Sequence, residues 1–335
     1  MTSTPTVPSG RVIAPRAMAG LRRVVGLPGA GVTIAFLVLC VALAFASDYF
    51  LTVGNLTVVL RQSVWVAIMG IGMTFVIGMG EIDLSVGAIL GISGLAAAIW
   101  IQSGVNIYLA VVAALLLGAV IGACNGLLVT ILHLPSFVAT LGAMSVLRGI
   151  IMVITGGVPV YGLRYPEFQF IGQGFIGPFP FPVVILAAVF AVFAYVLYRT
   201  PFGRHVLSIG SNAHAARLAG ISLTAVRVTV FMISGLLCAI AGVILASRSE
   251  AATADAGQGM ELDVIAATII GGTVMTGGKA VLYGTVVGAM LMTTIRNGLN
   301  LLGVSPLWQQ VVIGAFIIIS VAGSMLASRR ADGDA

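Results

Sequence analysis

Two carboxylates stand inside one of the most apolar stretches of this chain, in the segment GEIDLSVG at residues 80–87. The sequence GMTFVIGM precedes this segment and AILGISGLAAAIW follows it. If a helix begins near Leu84, Asp83 and Ser85 lie at its N-terminus, where a carboxylate accepts hydrogen bonds from free backbone N–H groups and is favoured by the helix dipole. The spacing therefore predicts that Asp83 caps a helix and fixes a break in the chain, whereas Glu81 lies outside the helix.

Further polar side chains interrupt apolar runs elsewhere and are candidates for binding small polar molecules. Asn125 and Arg148 each stand alone in such a run, and the guanidinium of Arg148 needs a carboxylate or helix-end carbonyls as its partner. Asn297 and Asn300 are three residues apart and so share one helix face. The pattern leaves two alternatives: these asparagines either line a cavity or hold two helices together.

The sequence contains no pattern typical of a catalytic or metal site. GTVMTGGKA at residues 272–280 resembles a Walker A loop, but its first glycine is one position too far from the Gly-Lys pair, and Ala280 stands where the Mg²⁺-binding hydroxyl is needed. There is no G-x-S-x-G or H-E-x-x-H motif, and His133, His205 and His214 lack ligand spacing. We therefore expect no catalytic residue, no metal and no cofactor bound by this chain.

The composition shows what kind of elements must position these residues. Hydrophobic residues make up 59% of the 335 residues and charged residues only 8%, against about 25% charged in an ordinary soluble domain. Continuous apolar runs of about 18 residues or more are typical of membrane-spanning helices rather than of a β-barrel. The sequence predicts an all-α polytopic membrane protein with about ten spans, near residues 29–47, 58–79, 84–101, 107–131, 137–155, 182–199, 226–246, 263–276, 281–302 and 307–327.

The eighth predicted span, VIAATIIGGTVMTGG, is short and glycine-rich, so we expect a half-span or re-entrant segment there.

A membrane setting also gives the carboxylates of residues 80–87 a second interpretation. A carboxylate at the bilayer centre costs about 2.5–3.5 kcal/mol, so it is buried against a partner or lines a wet cavity. Transporters often place a discontinuous helix at their pathway, and this interpretation is compatible with Asp83 as a cap.

The distribution of basic residues predicts the orientation in the membrane. With the N-terminus inside, eleven of the sixteen Lys and Arg residues are cytoplasmic, namely Arg11, Arg16, Arg22, Arg23, Arg199, Arg204, Arg217, Arg227, Lys279, Arg329 and Arg330. This bias follows the positive-inside rule, so the net charge of +6 needs no nucleic-acid partner to explain it. Both termini, and Glu81, are expected on the cytoplasmic side.

This orientation divides the chain into two tails and a membrane domain. The tails are residues 1–28 and 328–335, and the transmembrane domain is residues 29–327. Two polar loops stand out, an external one at residues 156–181 and a cytoplasmic one at residues 199–226. Glycine pairs at the same spacing, Gly80 with Gly87 and Gly271 with Gly278, hint at two inverted halves of five spans each.

The cytoplasmic loop contains a short punctuated helix in GSNAHAARLAGIS, residues 210–222. Asn212 is a favourable N-cap, Ala213 to Ala219 is a helix-forming run, and Gly220 suits the left-handed position after a helix. The run consists of Ala213, His214, Ala215, Ala216, Arg217, Leu218 and Ala219. Such a short helix is unstable alone, so it either caps the bundle or docks on a partner as a coupling helix.

Four ordered blocks of sequence resemble the permease subunits of ABC importers for ribose, xylose, arabinose and galactose. They are GMTFVIGMGEIDLSVGAILGISG (72–94), LPSFVATLGAMSVLRGI (134–150), TPFGRHVLSIGSNAHAARLAGI (200–221) and the segment 259–314, which begins GMELDVIAATIIGG. The chain departs from the family at Glu81, where glycine is more frequent, and near His214, where acidic residues are more frequent. The candidates for the pathway or the broken helix are then Glu81, Asp83, Ser85, Asn125, Arg148, Asn297 and Asn300, and the candidates for coupling are residues 212–220.

The resemblance implies a division of labour among several chains in a bacterial inner membrane. A periplasmic binding protein delivers a monosaccharide, two permease chains surrounded by lipid form the pathway, and cytoplasmic ATP-binding subunits carry the ATP and Mg²⁺. A homodimer of permeases is expected. The alternatives are import of a polyol or a furanose-like signalling molecule, an ion-coupled secondary transporter in which Glu81 and Asp83 titrate, and a channel-like membrane protein without energy coupling.

Overall fold

The computed structural model describes residues 29–305, 307–316 and 318–319. The first part of the described chain forms five consecutive helices. They are α1 (Ala30–Ala46), α2 (Val53–Gly78), α3 (Val86–Gln102), α4 (Ile107–Ile131) and α5 (Ser136–Thr155). Each coincides with one of the first five predicted spans to within five residues at either end. Thr52 and Asn106 cap α2 and α4, because their side chains accept hydrogen bonds from the first free backbone N–H groups.

The second part alternates long helices with short ones. It comprises α6 (Pro166–Gln173), α7 (Phe181–Arg199), α8 (Pro201–Ser211), α9 (Ala213–Leu218), α10 (Leu223–Ser249), α11 (Met260–Ile270), α12 (Leu282–Leu301) and α13 (Leu307–Phe316). Four two-residue strands form two antiparallel pairs, β1 (Val160–Tyr161) with β4 (Ala251–Ala252) and β2 (Phe175–Ile176) with β3 (Phe179–Pro180). Both pairs belong to the end of the bundle at which α10 finishes.

The helices confirm an all-α polytopic membrane protein. Within the described residues, five helices are long and apolar enough to cross a membrane, namely α2, α4, α5, α7 and α10. Three shorter apolar helices, α1, α3 and α13, accompany them. The predicted tails 1–28 and 328–335, and most of the tenth predicted span beyond Phe316, lie outside the described residues.

The eighth predicted span is a half-length helix with different bounds. The prediction placed it at residues 263–276, whereas α11 runs from Met260 to Ile270. Eleven residues at a rise of 1.5 Å make about 16 Å, half the thickness of a bilayer core. The helix ends at Ile270 with Gly271 as its C-cap, because Gly272 has a φ of +98°, a left-handed conformation that breaks the helix.

The core is centred on α10, which packs against α2, α3 and α4, and α2 packs in turn against α12. Its largest fully buried side chains include Phe75, Phe231 and Met69. Glycines bring α4 and α10 together, since a Cβ atom added at Gly122 or Gly235 would overlap backbone atoms of the facing helix. Small residues at helix contacts are a general device of membrane proteins, because close backbones maximise van der Waals packing.

Two non-helical connections meet at one end of the bundle. The α2–α3 segment (residues 79–85) and the α11–α12 segment (residues 271–281) approach each other where Gly278 N donates a hydrogen bond to Gly78 O at 2.9 Å. Helix α8 packs against both, because Gly210 has no room for a Cβ beside Gly78 O and Gly278 N. We refer to this contact as the glycine junction, and to this end of the molecule, which also carries α9, as the α9 end.

Candidate functional site

Asp83 lies at the centre of a buried network of polar side chains. Its carboxylate is completely buried. Asp83 Oδ1 accepts hydrogen bonds from Ser85 N at 2.9 Å and Ser85 Oγ at 2.6 Å, and Oδ2 accepts one from Ser234 Oγ at 2.9 Å. Asn125 Nδ2 donates to Ser85 Oγ at 2.8 Å. The network therefore ties the start of α3 to α4 and α10, and hydrogen bonds rather than an ion pair satisfy this carboxylate in the described chain.

The α2–α3 segment is held by hydroxyl groups of α5 as well. Ser136 Oγ accepts a hydrogen bond from Ile82 N at 3.1 Å, and Thr140 Oγ1 accepts one from Leu84 N at 3.0 Å. Non-helical backbone inside a membrane requires such internal partners, because lipid offers none. Ser234 is about 16 Å along α10 from its first residue, so α3 begins near the middle of the bundle and is a broken helix, as predicted.

Glu81 does not share this network. Its Oε1 lies 3.2 Å from Nε of Arg227, near the beginning of α10. The ion pair attaches the α2–α3 segment to α10 at the α9 end. Glu81 and Asp83 therefore point to different surroundings, although one residue separates them in sequence.

A chain segment re-enters the bundle beside α3 and carries polar side chains with it. This re-entrant segment, residues 250–259, follows α10 and passes Gly91 and Gly87, where Ala256 and Gly257 leave no room for a Cβ. Arg148 Nη1 donates a hydrogen bond to Ala256 O at 2.7 Å. Arg148 is about 18 Å along α5, so its partner is a backbone carbonyl near mid-bilayer depth.

Two cavities adjoin this segment. The first has a volume of about 590 Å³ and is lined by Met144, Arg148, Met152, Gly157, Pro159, Ala254, Asp255, Gln258 and Glu261. The second has a volume of about 300 Å³ and is lined by Gln62, Trp65, Val66, Gln258, Met260, Asp263, Met292, Thr293, Arg296, Asn300 and Gln309. Gln258 borders both cavities, which together form a polar groove along α11.

Charges in the second cavity are paired. Asp263 is buried and accepts a hydrogen bond from Arg296 Nη2 at 2.6 Å, so α11 and α12 are joined by an ion pair. Asn300 Oδ1 accepts a hydrogen bond from Gln309 Nε2 at 2.7 Å. Polar contacts among α11, α12 and α13 therefore border this cavity.

The two asparagines of α12 take different partners. Asn297 is buried and exchanges two hydrogen bonds with Asn55, of 2.7 and 3.1 Å, which join α12 to α2. Asn300 lines the second cavity. The two alternatives left open by the sequence therefore apply to one residue each, with Asn297 holding helices together and Asn300 bordering a cavity.

The short helix α9 has the N-cap and the C-terminal glycine that its sequence predicts. Asn212 Oδ1 accepts a hydrogen bond from Ala215 N at 2.9 Å, and Gly220 has a φ of +82°. The helix ends at Leu218, one residue earlier than predicted, with Ala219 as its C-cap. Ala216 faces the protein, whereas Leu218 is 78% exposed. The exposed residues of the predicted run are His214, Ala215, Arg217, Leu218 and Ala219.

Comparison with known proteins places this architecture in a family. A family model described as branched-chain amino acid transport system / permease component matches residues 55–321. The chain belongs to this permease family. Like its relatives below, the permease is a transport component, and no solved structure gave a significant match.

Three relatives of the permease are named for sugars. It is 42% identical to the ribose import permease protein of Bacillus subtilis over 87% of this chain and 91% of that protein. It is 38% identical to the D-allose transport system permease protein of Escherichia coli, over 85% and 88% of the two chains. It is 32% identical to the L-arabinose ABC transporter permease protein of Azospirillum brasilense, over 94% and 92%. The resemblance seen in the sequence is thereby confirmed.

The structure brings some of the sequence candidates together and separates others. Asp83, Ser85 and Asn125 share one network, Arg148 and Asn300 border the polar groove, and Glu81, Asn297 and α9 lie elsewhere. Sequence reasoning missed Ser234 and the acidic residues of the groove, which are Asp255, Glu261 and Asp263. A signal for them existed, because these three are among only ten Asp and Glu in the chain and fall within nine residues.

Proposed function

We propose that this permease forms half of the membrane pathway of an ABC importer for a monosaccharide. The polar groove carries the proposal, since it presents carboxylates, amides and guanidinium groups in an otherwise apolar bundle. Such groups bind sugar hydroxyls, which both donate and accept hydrogen bonds. The relatives named for ribose, D-allose and L-arabinose support the sugar class. A polyol or a furanose-like molecule has the same chemistry and is an alternative substrate.

The proposal assigns α9 to a cytoplasmic ATP-binding subunit, which carries the ATP and Mg²⁺. A six-residue helix is not stable by itself, yet α9 is capped at both ends and presents Leu218 to solvent. An exposed apolar side chain on a fixed helix suits a groove on a partner. The residues assigned to coupling are the N-cap Asn212, the run from Ala213 to Ala219, and Gly220.

The polar groove opens at the protein surface, where Asp255 and Gln258 are exposed. Charged and polar side chains at this depth do not face lipid, because their transfer into hydrocarbon is costly. A second copy of the permease covering the groove would enclose a pathway between the two chains. The apolar surfaces of α4, α5 and α7 then face lipid.

The orientation proposed for the permease is the one expected from its basic residues. Arg199, Arg204, Arg217, Arg227 and Lys279 belong to the α9 end, which is then cytoplasmic. The opposite end, with α6, faces the periplasm and receives the sugar-binding protein. Both termini lie in the cytoplasm of a bacterium whose inner membrane holds the complex.

The ion-pair and hydrogen-bond partners of Glu81 and Asp83 argue against an ion-coupled transporter. Such a mechanism needs a carboxylate that exchanges ions with water. Glu81 is paired with Arg227, and Asp83 is fully buried among hydrogen-bond donors. Neither arrangement is typical of an open titrating site.

Uptake by the reconstituted importer tests the proposal. The permease would be incorporated in proteoliposomes with its ATP-binding subunit, and loaded sugar-binding protein would be added outside. We expect ATP-dependent uptake of at least one of D-ribose, D-allose and L-arabinose. Uptake that persists without the ATP-binding subunit and follows an ion gradient would contradict the proposal.

A further inference from the structure

We infer that the 590 Å³ cavity of the polar groove is a binding subsite for a neutral polyhydroxylated molecule, so that the permease itself contributes to sugar selection. This inference rests on the proposed function. It concerns four side chains that surround the cavity, Arg148, Asp255, Gln258 and Glu261.

Glu261 gives the first argument. Its Oε2 atom is inaccessible to solvent, yet no hydrogen-bond partner for it exists among the described residues. An unsatisfied buried carboxylate oxygen is costly, since it has lost water and gained no donor. The oxygen packs against Gly87 of α3, and because Glu261 also lines the cavity, a rotation of its side chain would bring the carboxylate to a ligand hydroxyl that donates the missing hydrogen bond.

Arg148 gives the second argument. Its guanidinium donates a hydrogen bond to the carbonyl of Ala256, and no carboxylate lies within 4.0 Å of it in the described part of the chain. A guanidinium has five N–H donors, so most of them remain for a ligand. Donors from Arg148 therefore stand beside acceptors from Glu261 and Asp255 in one cavity.

The balance of charge selects the class of ligand. The two carboxylates repel an anion, and a ligand that offers only cationic donors leaves the N–H groups of Arg148 without an acceptor. A neutral molecule whose hydroxyl groups donate to Glu261 and Asp255 and accept from Arg148 satisfies all three groups. Met144, Met152 and Pro159 add apolar lining, which suits the C–H surface of a sugar ring.

The size and rigidity of the cavity fit this role. Small-molecule sites have volumes of about 300–1,000 Å³, and this cavity falls within that range. The backbone of the re-entrant segment is held against Gly87 and Gly91 of α3, where no other residue would fit. Asp255 and Gln258 are therefore carried by a segment packed against the broken helix, and the broken helix is itself fixed by Asp83.

Three acid-to-amide variants test the inference in the complete importer with saturating, sugar-loaded binding protein. Glu261→Gln and Asp255→Asn remove a charged acceptor while preserving shape, and Asp48→Asn is the matched control, an exposed carboxylate in the turn before α2. Uptake of D-ribose, D-allose and L-arabinose would be measured together with ATPase activity stimulated by the binding protein. We expect both groove variants to lower sugar transported per ATP about tenfold, as for the loss of a hydrogen bond to a charged group, and to alter the ratio among the sugars.

The outcomes separate this inference from the proposed function. If the unmodified importer transports none of the three sugars, the proposed function fails and the sugar subsite fails with it. If it transports sugar and both groove variants match Asp48→Asn in rate and sugar ratio, only the subsite is overturned. If the groove variants do not assemble, Gln258→Leu decides, because this exposed side chain makes no hydrogen bond to any residue that the structure describes. An altered sugar ratio supports the subsite, and an unchanged ratio overturns it.

Discussion

Asp83 shows how a single residue can carry a structural role that its sequence position only partly reveals. The carboxylate accepts three hydrogen bonds, from Ser85 N, Ser85 Oγ and Ser234 Oγ. Two of these donor atoms belong to Ser85, which is two residues from Asp83, and the third belongs to Ser234 of α10, about 150 residues away. A buried carboxylate in this setting stabilises the break before α3 because its lone pairs are used by donors that would otherwise be unsatisfied.

The substitution Asp83→Asn tests this role. It replaces one acceptor oxygen by a donating NH₂ group that faces donors, so we expect the purified permease to lose about 1–3 kcal/mol of stability and to melt at a lower temperature. Thermal unfolding in detergent measures the effect, with Asp48→Asn as the control. Equal melting temperatures for the two variants would show that the network does not stabilise the broken helix.

At the scale of elements, α8 and α9 form one unit that links the proposed docking helix to the two broken regions of the bundle. Helix α8 begins at Pro201 after the N-cap Thr200, and it contacts both non-helical segments at the glycine junction. The loop predicted at residues 199–226 therefore contains a helix that the sequence signals, because Thr-Pro is a typical helix start. In the proposed importer, a movement of α9 would reach the two non-helical segments through the backbone contacts of Gly210.

Replacing Leu218 by aspartate separates docking from folding. Because Leu218 is largely exposed, we expect Leu218→Asp to leave expression and melting temperature unchanged and to lower co-purification of the ATP-binding subunit at least about tenfold, since an apolar contact is replaced by a charge. Leu132→Asp, an exposed position in the connection between α4 and α5, is the control. Ala216 is unsuitable for this test, because it is buried and its substitution would disturb α9 itself. Normal co-purification of Leu218→Asp would reject α9 as the docking element.

The glycine junction predicts a different phenotype. The Cβ of Gly210→Ala would overlap Gly78 O and Gly278 N, so α8 must shift away from both segments, and we expect a loss of about 1–3 kcal/mol of stability together with lower sugar transport per ATP. Gly142→Ala in α5 is the matched control, because nothing lies within 4 Å of its added Cβ. Comparison of melting temperature and transport for the two alanine variants checks the prediction. It is wrong if Gly210→Ala behaves like Gly142→Ala.

For the whole molecule, the surface divides into apolar faces suited to lipid and one polar groove that is not. Arg148, Asp255 and Glu261 border this groove. The single positive charge of Arg148 does not balance the two carboxylates, so the groove needs water or protein rather than lipid beside it. A second copy of the permease supplies both in the proposed importer.

Cysteine cross-linking in native membranes tests the proposed covering of the groove. In a variant lacking Cys40, Cys124 and Cys238, Leu262→Cys places a thiol beside the groove at a position that is 58% exposed. We expect oxidation to yield a dimer of the permease with this variant, because the same residue of the second copy lies near. Tyr195→Cys, exposed on α7, is the control and should remain monomeric. Dimers formed only through Tyr195→Cys would place the interface on the opposite face.

The sequence alone predicts the class of fold, the break before α3 and the caps of α9. It also predicts both ends of eight of the ten spans to within about five residues, while the tenth is described only in part. These features depend on local physics, since the length of an apolar run, a capping side chain and a left-handed glycine act within a few neighbouring residues. The tertiary structure alone decided that Asn297 pairs with Asn55 and that Asn300 borders a cavity. It also decided that Arg148 meets the re-entrant segment and that the two glycine-framed interruptions touch. These contacts join residues separated by many tens of positions. They depend on the packing of whole helices, and a local sequence pattern does not encode that packing.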